Sequence, residues 1–217
     1  MSERGRVETE VVDEHGLAMR RLQRPEQLRA LAHPRRLQIL DLLIAEGALT
    51  ASQCAVELGD SAASCSYHLR QLARFGFVEE AEGGHGRNRP WRRVPLGNRI
   101  DTGDTPAERS AAEALAAVLD EHNLERIRRF HERRAGDPWR DSASSSDWSI
   151  RITEDELLEL GAAVAALLAP LQRRTFAGDV PAGSRIVDVL TYLMPRRDER
   201  PAQSRVKTTN GGDQLDA

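Results

Sequence analysis

The sequence predicts an α+β chain: short helices and a β-hairpin in its first hundred residues, then a helical region carrying a small sheet. Three observations predict it. Between Pro25 and Gly76, apolar residues recur at helical spacing in short blocks, opened by proline or a hydroxyl cap and closed near glycine. Residues 77–82 and 91–94 read as two strands around a turn holding Gly83, Gly84 and Gly86. Beyond residue 104, two longer helical patterns each open on a capping box.

In chain order, residues 1–19 show no periodicity and are expected to be loose. Pro25 suits a helix start, with Glu26 in the first turn and Leu28 and Leu31 on an apolar side. Pro34 starts a second helix, where Leu37, Leu40, Leu43 and Ile44 recur and Gly47 terminates. Thr50 and Gln53 form a capping box opening a short helix that runs to Leu58 and stops at Gly59. Asp60 or Ser61 caps the next helix, 62–74, which ends near Gly76. In the hairpin, Pro90 belongs at a strand start or edge because it has no N–H to donate. Three to four helices followed by a hairpin make a winged helix-turn-helix domain over 20–100.

Residues 95–104 read as a linker. Thr105, Pro106 and Glu108 then start a helix to about Arg134, with Leu115, Val118, Leu119, Leu124, Ile127 and Phe130 among its apolar positions. Asp137-Pro138 and the serines of 142–146 form a loop. Trp148, Ile150 and Ile152 alternate as a strand does. Thr153 and Glu156 open a further helix, expected to bury Leu157, Leu160, Val164, Leu167, Leu168 and Leu171. Residues 186–194 read as a last strand. The region 105–195 is thus expected to be an α+β domain for dimerisation or effector binding, and 196–217 a flexible polar tail.

The totals fit this plan. A chain of 217 residues has room for two modest domains, and 40% hydrophobic with 30% charged residues is a soluble composition. No apolar run approaches the roughly 20 residues that span a bilayer, and the first sixteen residues lack a signal core, so a cytoplasmic protein is expected. Cys54 and Cys65 are too few for a disulfide framework. Charge is divided unevenly. Residues 20–100 carry 13 Arg against 8 Asp and Glu, whereas the remainder carries 18 basic and 26 acidic residues. One part is basic and the other acidic, as suits a surface that faces phosphate.

On a helical wheel with Cys65 inward, Leu69 and Leu72 fall beside it. Ala63, Tyr67, Arg70 and Arg74 fall opposite, with Ser64 and Gln71 at the edge. A major-groove helix needs such an outer face: small near its start, with hydroxyl, amide and guanidinium groups to reach phosphates and base edges. An ordinary solvated face looks the same in isolation, but the capped helix before it and the hairpin after it favour DNA. The hairpin holds His85, Arg87, Asn88, Arg89, Arg92 and Arg93, a charge suited to a wing on the duplex backbone or in a minor groove. Trp91, among them, is expected to pack against the domain.

Residues 26–96 resemble the ArsR-type winged helix. Four segments carry the resemblance: LAHPRRLQIL at 31–40, LTASQCAVELG at 49–59, SYHLRQL at 66–72 and FGFV at 75–78. The wing GRNRPW at 86–91 is similar to wings of ArsR-like regulators from high-GC bacteria, and the acidic half resembles the extra C-terminal domain of the longer forms only loosely. The resemblance implies a homodimeric transcription regulator, taken as a repressor, with one recognition helix per half-site. It places DNA contacts on Ser61, Ser64, Ser66, Tyr67, His68 and Gln71, with His68 on the flank as either a packing or a phosphate-contacting residue. Arg70, Arg74, Arg87, Arg89 and Arg92 join them from the outer face and the wing.

Many ArsR-like proteins sense metals. One site type needs two neighbouring cysteines on the helix before the recognition helix, where this chain has only Cys54. Both cysteines suit small buried hydrophobes. A second type uses Asp and His pairs on the helix after the wing. Asp120, His122 and His131 lie there, but without the family's spacing. No metal or cofactor is therefore expected, and a metal-responsive repressor remains the alternative. No phosphate-cradling loop, nucleophile motif or acid–base pair points to an enzyme. A winged helix that binds protein instead of DNA is a further alternative. The expected partners are double-stranded DNA and a second copy, with room for a small-molecule effector and no membrane.

Overall fold

A computed structural model describes residues 10–12, 18–84, 88–95, 97–100 and 103–196. The chain is α+β, with a helix-turn-helix region, a small antiparallel hairpin and a later helical region. Helix α1 (Pro25–Leu31) and helix α2 (Pro34–Glu46) both start on proline, whose missing N–H is not needed in a first turn. His33 caps α2: its Nδ1 accepts the Arg35 N–H at 3.1 Å. Helix α3 (Ala51–Leu58) opens on the expected Thr50–Gln53 capping box. It closes at Gly59, whose φ of +60° is a left-handed conformation that glycine adopts without penalty. Helix α4 (Ala62–Arg74) is capped by the Ser61 hydroxyl, which accepts the Ser64 N–H at 3.1 Å.

The inward stripe of α4 is Cys65, Leu69 and Leu72, each fully buried. They meet Leu28 of α1, Ile39 and Leu43 of α2, Cys54 of α3, and Phe77 in one core. Burying each Leu, Ile or Phe contributes about 1.5–3 kcal/mol relative to leaving it in water.

The hairpin pairs β3 (Val78–Glu80) with β4 (Trp91–Arg93), Val78 opposite Arg93 and Glu80 opposite Trp91. Leu49 and Trp91 also exchange two backbone hydrogen bonds, of 2.9 and 2.7 Å. The stretch before α3 is therefore a third edge of the wing, while Trp91 packs against the core. At the tip, Gly84 has φ +72°, and a Cβ there would sit 2.3 Å from the Asn88 carbonyl oxygen, so only glycine fits.

A second sheet lies where loose chain and linker were expected. Strand β1 (Glu10–Val12) pairs antiparallel with β2 (Ala18–Leu22), and β2 pairs parallel with β5 (Gly97–Ile100). The residue that anchors β2 is Arg20, 2% exposed. Its Nη2 donates to the Gly76 carbonyl, and its guanidinium lies 4.7 Å from the Phe77 ring centroid. Burial, together with the nearby Arg93 charge, lowers its pKa to about 10. Short-range periodicity does not reveal such a strand, because one of its two partners, β5, is about 78 residues away along the chain.

Helix α5 (Pro106–Arg133) opens on the expected box at Thr105 and Glu108. Its alanine-rich start, Ala111, Ala112 and Leu115, is buried in the core of its own chain. Farther along, Leu124, Ile127 and Phe130 are exposed. Helix α6 (Glu154–Phe176) opens on the box at Thr153 and Glu156.

Two expectations for this half are corrected. Residues 148–152 and 186–194 form no strand and join no ladder with other described residues, so the small sheet is not here. Alternation creates a face; a strand also needs a neighbouring edge in register. Leu167 and Leu171, expected inside, are 76% and 50% exposed, and Ala169 is the one buried residue described on α6. No helix in the described chain is long and apolar enough to cross a membrane. Residues 196–217, read as a polar tail, lie outside the described residues apart from Arg196.

Candidate nucleic-acid interface

The geometry of α3 and α4 is held by one guanidinium. Arg35 of α2 pairs with Asp60 at 2.9 Å and donates to the Leu58 carbonyl at 3.0 Å. Leu58 ends α3 and Asp60 lies in the connection to α4, so the turn is pinned to α2. Asp60 also accepts the Ser61 N–H and the Ser64 hydroxyl, at 2.6 and 3.0 Å. These bonds, the Ser61 N–H first, hold its carboxyl below the usual range. The sequence reading missed Arg35; its clue was a cation in the first turn of α2, with nothing to show that it faces Asp60.

Outward, α4 presents no carboxylate at any position from Ala62 to Arg74. The one carboxylate at its start is Asp60, engaged with Ser61, Ser64 and Arg35 before the helix begins. Tyr67 is 57% exposed, and Ala62 and Ala63 leave the first turn bare. Arg70 and Arg74 are exposed, and Gln71 is half-buried at the edge. Arg70 folds back onto the Ser66 carbonyl and hydroxyl at 3.1 and 2.9 Å. Ser61 and Ser64 are engaged in the cap. The expected residues Ser61, Ser64, Ser66, Tyr67, Arg70, Gln71 and Arg74 thus lie along one helix and its cap.

His68 is different. It is buried, its ring centroid 4.6 Å from that of His33 and 5.4 Å from that of Tyr67. Burial, then the nearby His33 and Arg36, lowers its pKa. His33 is lowered by burial and by Arg36 and Arg35. Both imidazoles therefore take up a proton less readily in the folded chain than in the unfolded one, where a histidine takes its proton near 6.5. The stability this gives is present above pH 6.5 and is lost as pH falls through 6.5 toward the folded values. We expect the urea midpoint to hold steady above pH 7 and to decline toward pH 5. His33→Asn, which keeps a capping side chain, combined with His68→Gln should flatten that decline; an unchanged slope would refute the assignment.

On the wing, Arg89 pairs with Glu80 at 2.5 Å and Arg92 with Glu79 at 2.9 Å. Both pairs are exposed and bridge the hairpin, so these arginines have partners that the sequence reading did not foresee. Arg87 and His85 lie outside the described residues. Arg93 points the other way, half-buried, 5.8 Å from the Phe176 ring centroid.

The metal-sensing candidates are dispersed. Cys54 and Cys65 are both fully buried, and burial pushes the Cys54 thiol up to about 11 and Cys65 upward too. His122 Nε2 lies 2.7 Å from Asp41 of α2, and Asp120 meets the Tyr192 hydroxyl at 3.3 Å. No group of three metal-capable side chains occurs among the described residues.

No curated protein matches the chain. Residues 31–81, from the end of α1 to the end of β3, match the family model of a helix-turn-helix domain, the architecture carried by DNA-binding regulators.

Proposed function

We propose that this chain is a cytoplasmic, sequence-specific regulator of transcription, of the ArsR-like winged-helix kind, which binds double-stranded DNA as a homodimer. One observation carries the reading: α4 is fixed from behind by the core and the Arg35 clamp, while its whole outer face is free of carboxylates. A helix so held places Tyr67 and Gln71 against base edges and Arg70 and Arg74 against phosphates. Ser61, Ser64 and Ser66 allow close approach at its start, and His68 supports it from the inner flank. Arg89 and Arg92 exchange Glu80 and Glu79 for phosphates, and Arg87 adds a third wing cation in the sequence. Exposed ion pairs contribute only about 0–1 kcal/mol and give way readily. Two copies are needed because one recognition helix reads too few bases for useful specificity.

Repression is the expected sign, by occlusion of the bound site. The role is binding, without catalysis or a cofactor. An open trough of about 370 Å³ runs between Ile100, Leu119 of α5 and residues 189–192, with room for a small effector.

The test is a binding series at several salt concentrations, on DNA selected from genomic fragments by the purified protein and on single-base variants. Alanine at Arg89 or Arg92 should weaken binding to all sequences alike and lower the salt slope by about one. Alanine at Tyr67 or Gln71 should cost about 1–3 kcal/mol at one base position and relax the preference there. Reversed outcomes would exchange the roles; no effect from either set would refute DNA binding by α4.

A further inference from the structure

We propose that the open trough beside α5 is a binding site for an apolar organic cation, a protonated amine carried on a hydrophobic body, with Asp120 as its anchor. This deepens the effector reading above and rests on it, by stating which chemistry the trough takes.

The walls select the hydrophobic body. Ala112, Ala116 and Leu119 follow one another at spacings of four and three, so they share one face of α5 and make the floor. Val189 and Leu190 line the other side, and Ile100 adds an apolar group from β5. The segment that carries Val189 and Leu190 is tied down on both sides of them. Asp188 pairs with Arg126 through both carboxylate oxygens, and the Tyr192 hydroxyl accepts from Asn123 Nδ2 at 2.8 Å. Leu193, the next residue, lies against Gly161 of α6. A volume of about 370 Å³ between such walls suits a small aromatic or branched aliphatic body.

Charge selects the cation. Asp120 is the one charged residue that lines the trough. Its Oδ1 accepts the Tyr192 hydroxyl at 3.3 Å, and no cation among the described residues pairs with it. Its acidic neighbours differ. Glu121 pairs with Arg128, Glu125 with Arg128 and Arg129, and Asp188 with Arg126. Asp120 alone keeps its charge uncompensated, at the edge of an apolar surface. An ammonium can meet that carboxylate while its hydrocarbon covers Leu119 and Val189. An anion of the same shape would meet like charge.

The site adjoins the helix-turn-helix region through Ile100. This residue ends β5, whose parallel partner β2 carries Arg20, and Arg20 donates to the Gly76 carbonyl just beyond α4. A ligand packed on Ile100 thus bears on the sheet that holds the end of α4.

Three probes of one shape test the site: naphthylmethylamine, which is protonated at neutral pH, the neutral naphthylmethanol and the anionic naphthylacetate. In equilibrium dialysis against the full chain at low salt, the ammonium should bind with a dissociation constant below about 1 mM. It should bind roughly 2- to 5-fold tighter than the alcohol, with the carboxylate weakest. Asp120→Asn keeps an acceptor for the Tyr192 hydroxyl and should bring ammonium and alcohol level. Ala116→Trp fills the trough from an exposed position and should weaken all three on the order of tenfold. Circular dichroism of both variants should match the native chain. Equal binding of ammonium and alcohol by the native chain, or a preference that survives Asp120→Asn, overturns the cation site. Undiminished binding by folded Ala116→Trp overturns the trough as its place. The selected DNA is then titrated with and without saturating ammonium, which should change its affinity about fivefold or more. Ammonium binding that leaves DNA affinity unchanged overturns the effector reading and spares the site. A chain that binds DNA and none of the probes overturns the site and spares the regulator.

Discussion

Ala63→Glu should abolish recognition of the selected DNA without harming the fold. Ala63 is exposed in the first turn of α4, a turn that holds no acidic residue. A glutamate there favours the helix itself, by about 0.3–1 kcal/mol, because it sits at the positive pole. Against DNA the same charge meets phosphates and acceptor-rich base edges. Like charges brought together at an interface cost several kcal/mol, a loss on the order of 100- to 1,000-fold in affinity. Circular dichroism and thermal unfolding should match or slightly exceed those of the native chain, while a titration followed by fluorescence anisotropy should lose most of its binding. Unchanged affinity would mean that α4 does not enter a groove.

Leu69→Ala should have the largest effect on stability. Leu69 is fully buried on the inner stripe of α4, within the core shared by α1 to α4. Removing its side chain leaves a cavity and should cost about 2–5 kcal/mol. For a chain of this size each kcal/mol lowers the melting temperature by roughly 2–4 °C. Val56→Ala, at a residue 80% exposed on α3, should stay within about 0.5 kcal/mol. Calorimetry of both variants decides it; equal melting temperatures would mean that Leu69 does not pack as described.

These two predictions draw on the part of the chain where sequence and structure agree most closely. Helices α1 to α4 were legible because each carries its own punctuation: Pro25, Pro34, Thr50 with Gln53, and Ser61 at the starts, Gly47 and Gly59 at two of the ends. The inward side of α4 was legible for the same reason, since 100° per residue is a local rule. What was not legible depends on distant chain. Strand β2 is defined by β5, and Arg20 by Gly76. Trp91 is bonded to Leu49, and Arg35 finds Asp60 only once α2 and α3 have packed. The strands expected at 148–152 and 186–194 show the converse error. Val, Ile and aromatic residues in alternation describe a surface that fits a sheet, and no property of one segment supplies the second edge. The wing arginines were legible as charge, yet their pairing with Glu79 and Glu80 was not, although both carboxylates lie in the strand directly opposite.

The stacking of Arg93 on Phe176 joins the last residue of α6 to the base of the wing. A wing clipped to a helix far downstream is not a free flap, so a change that loosens the end of α6 should be felt at the strand that carries Arg92.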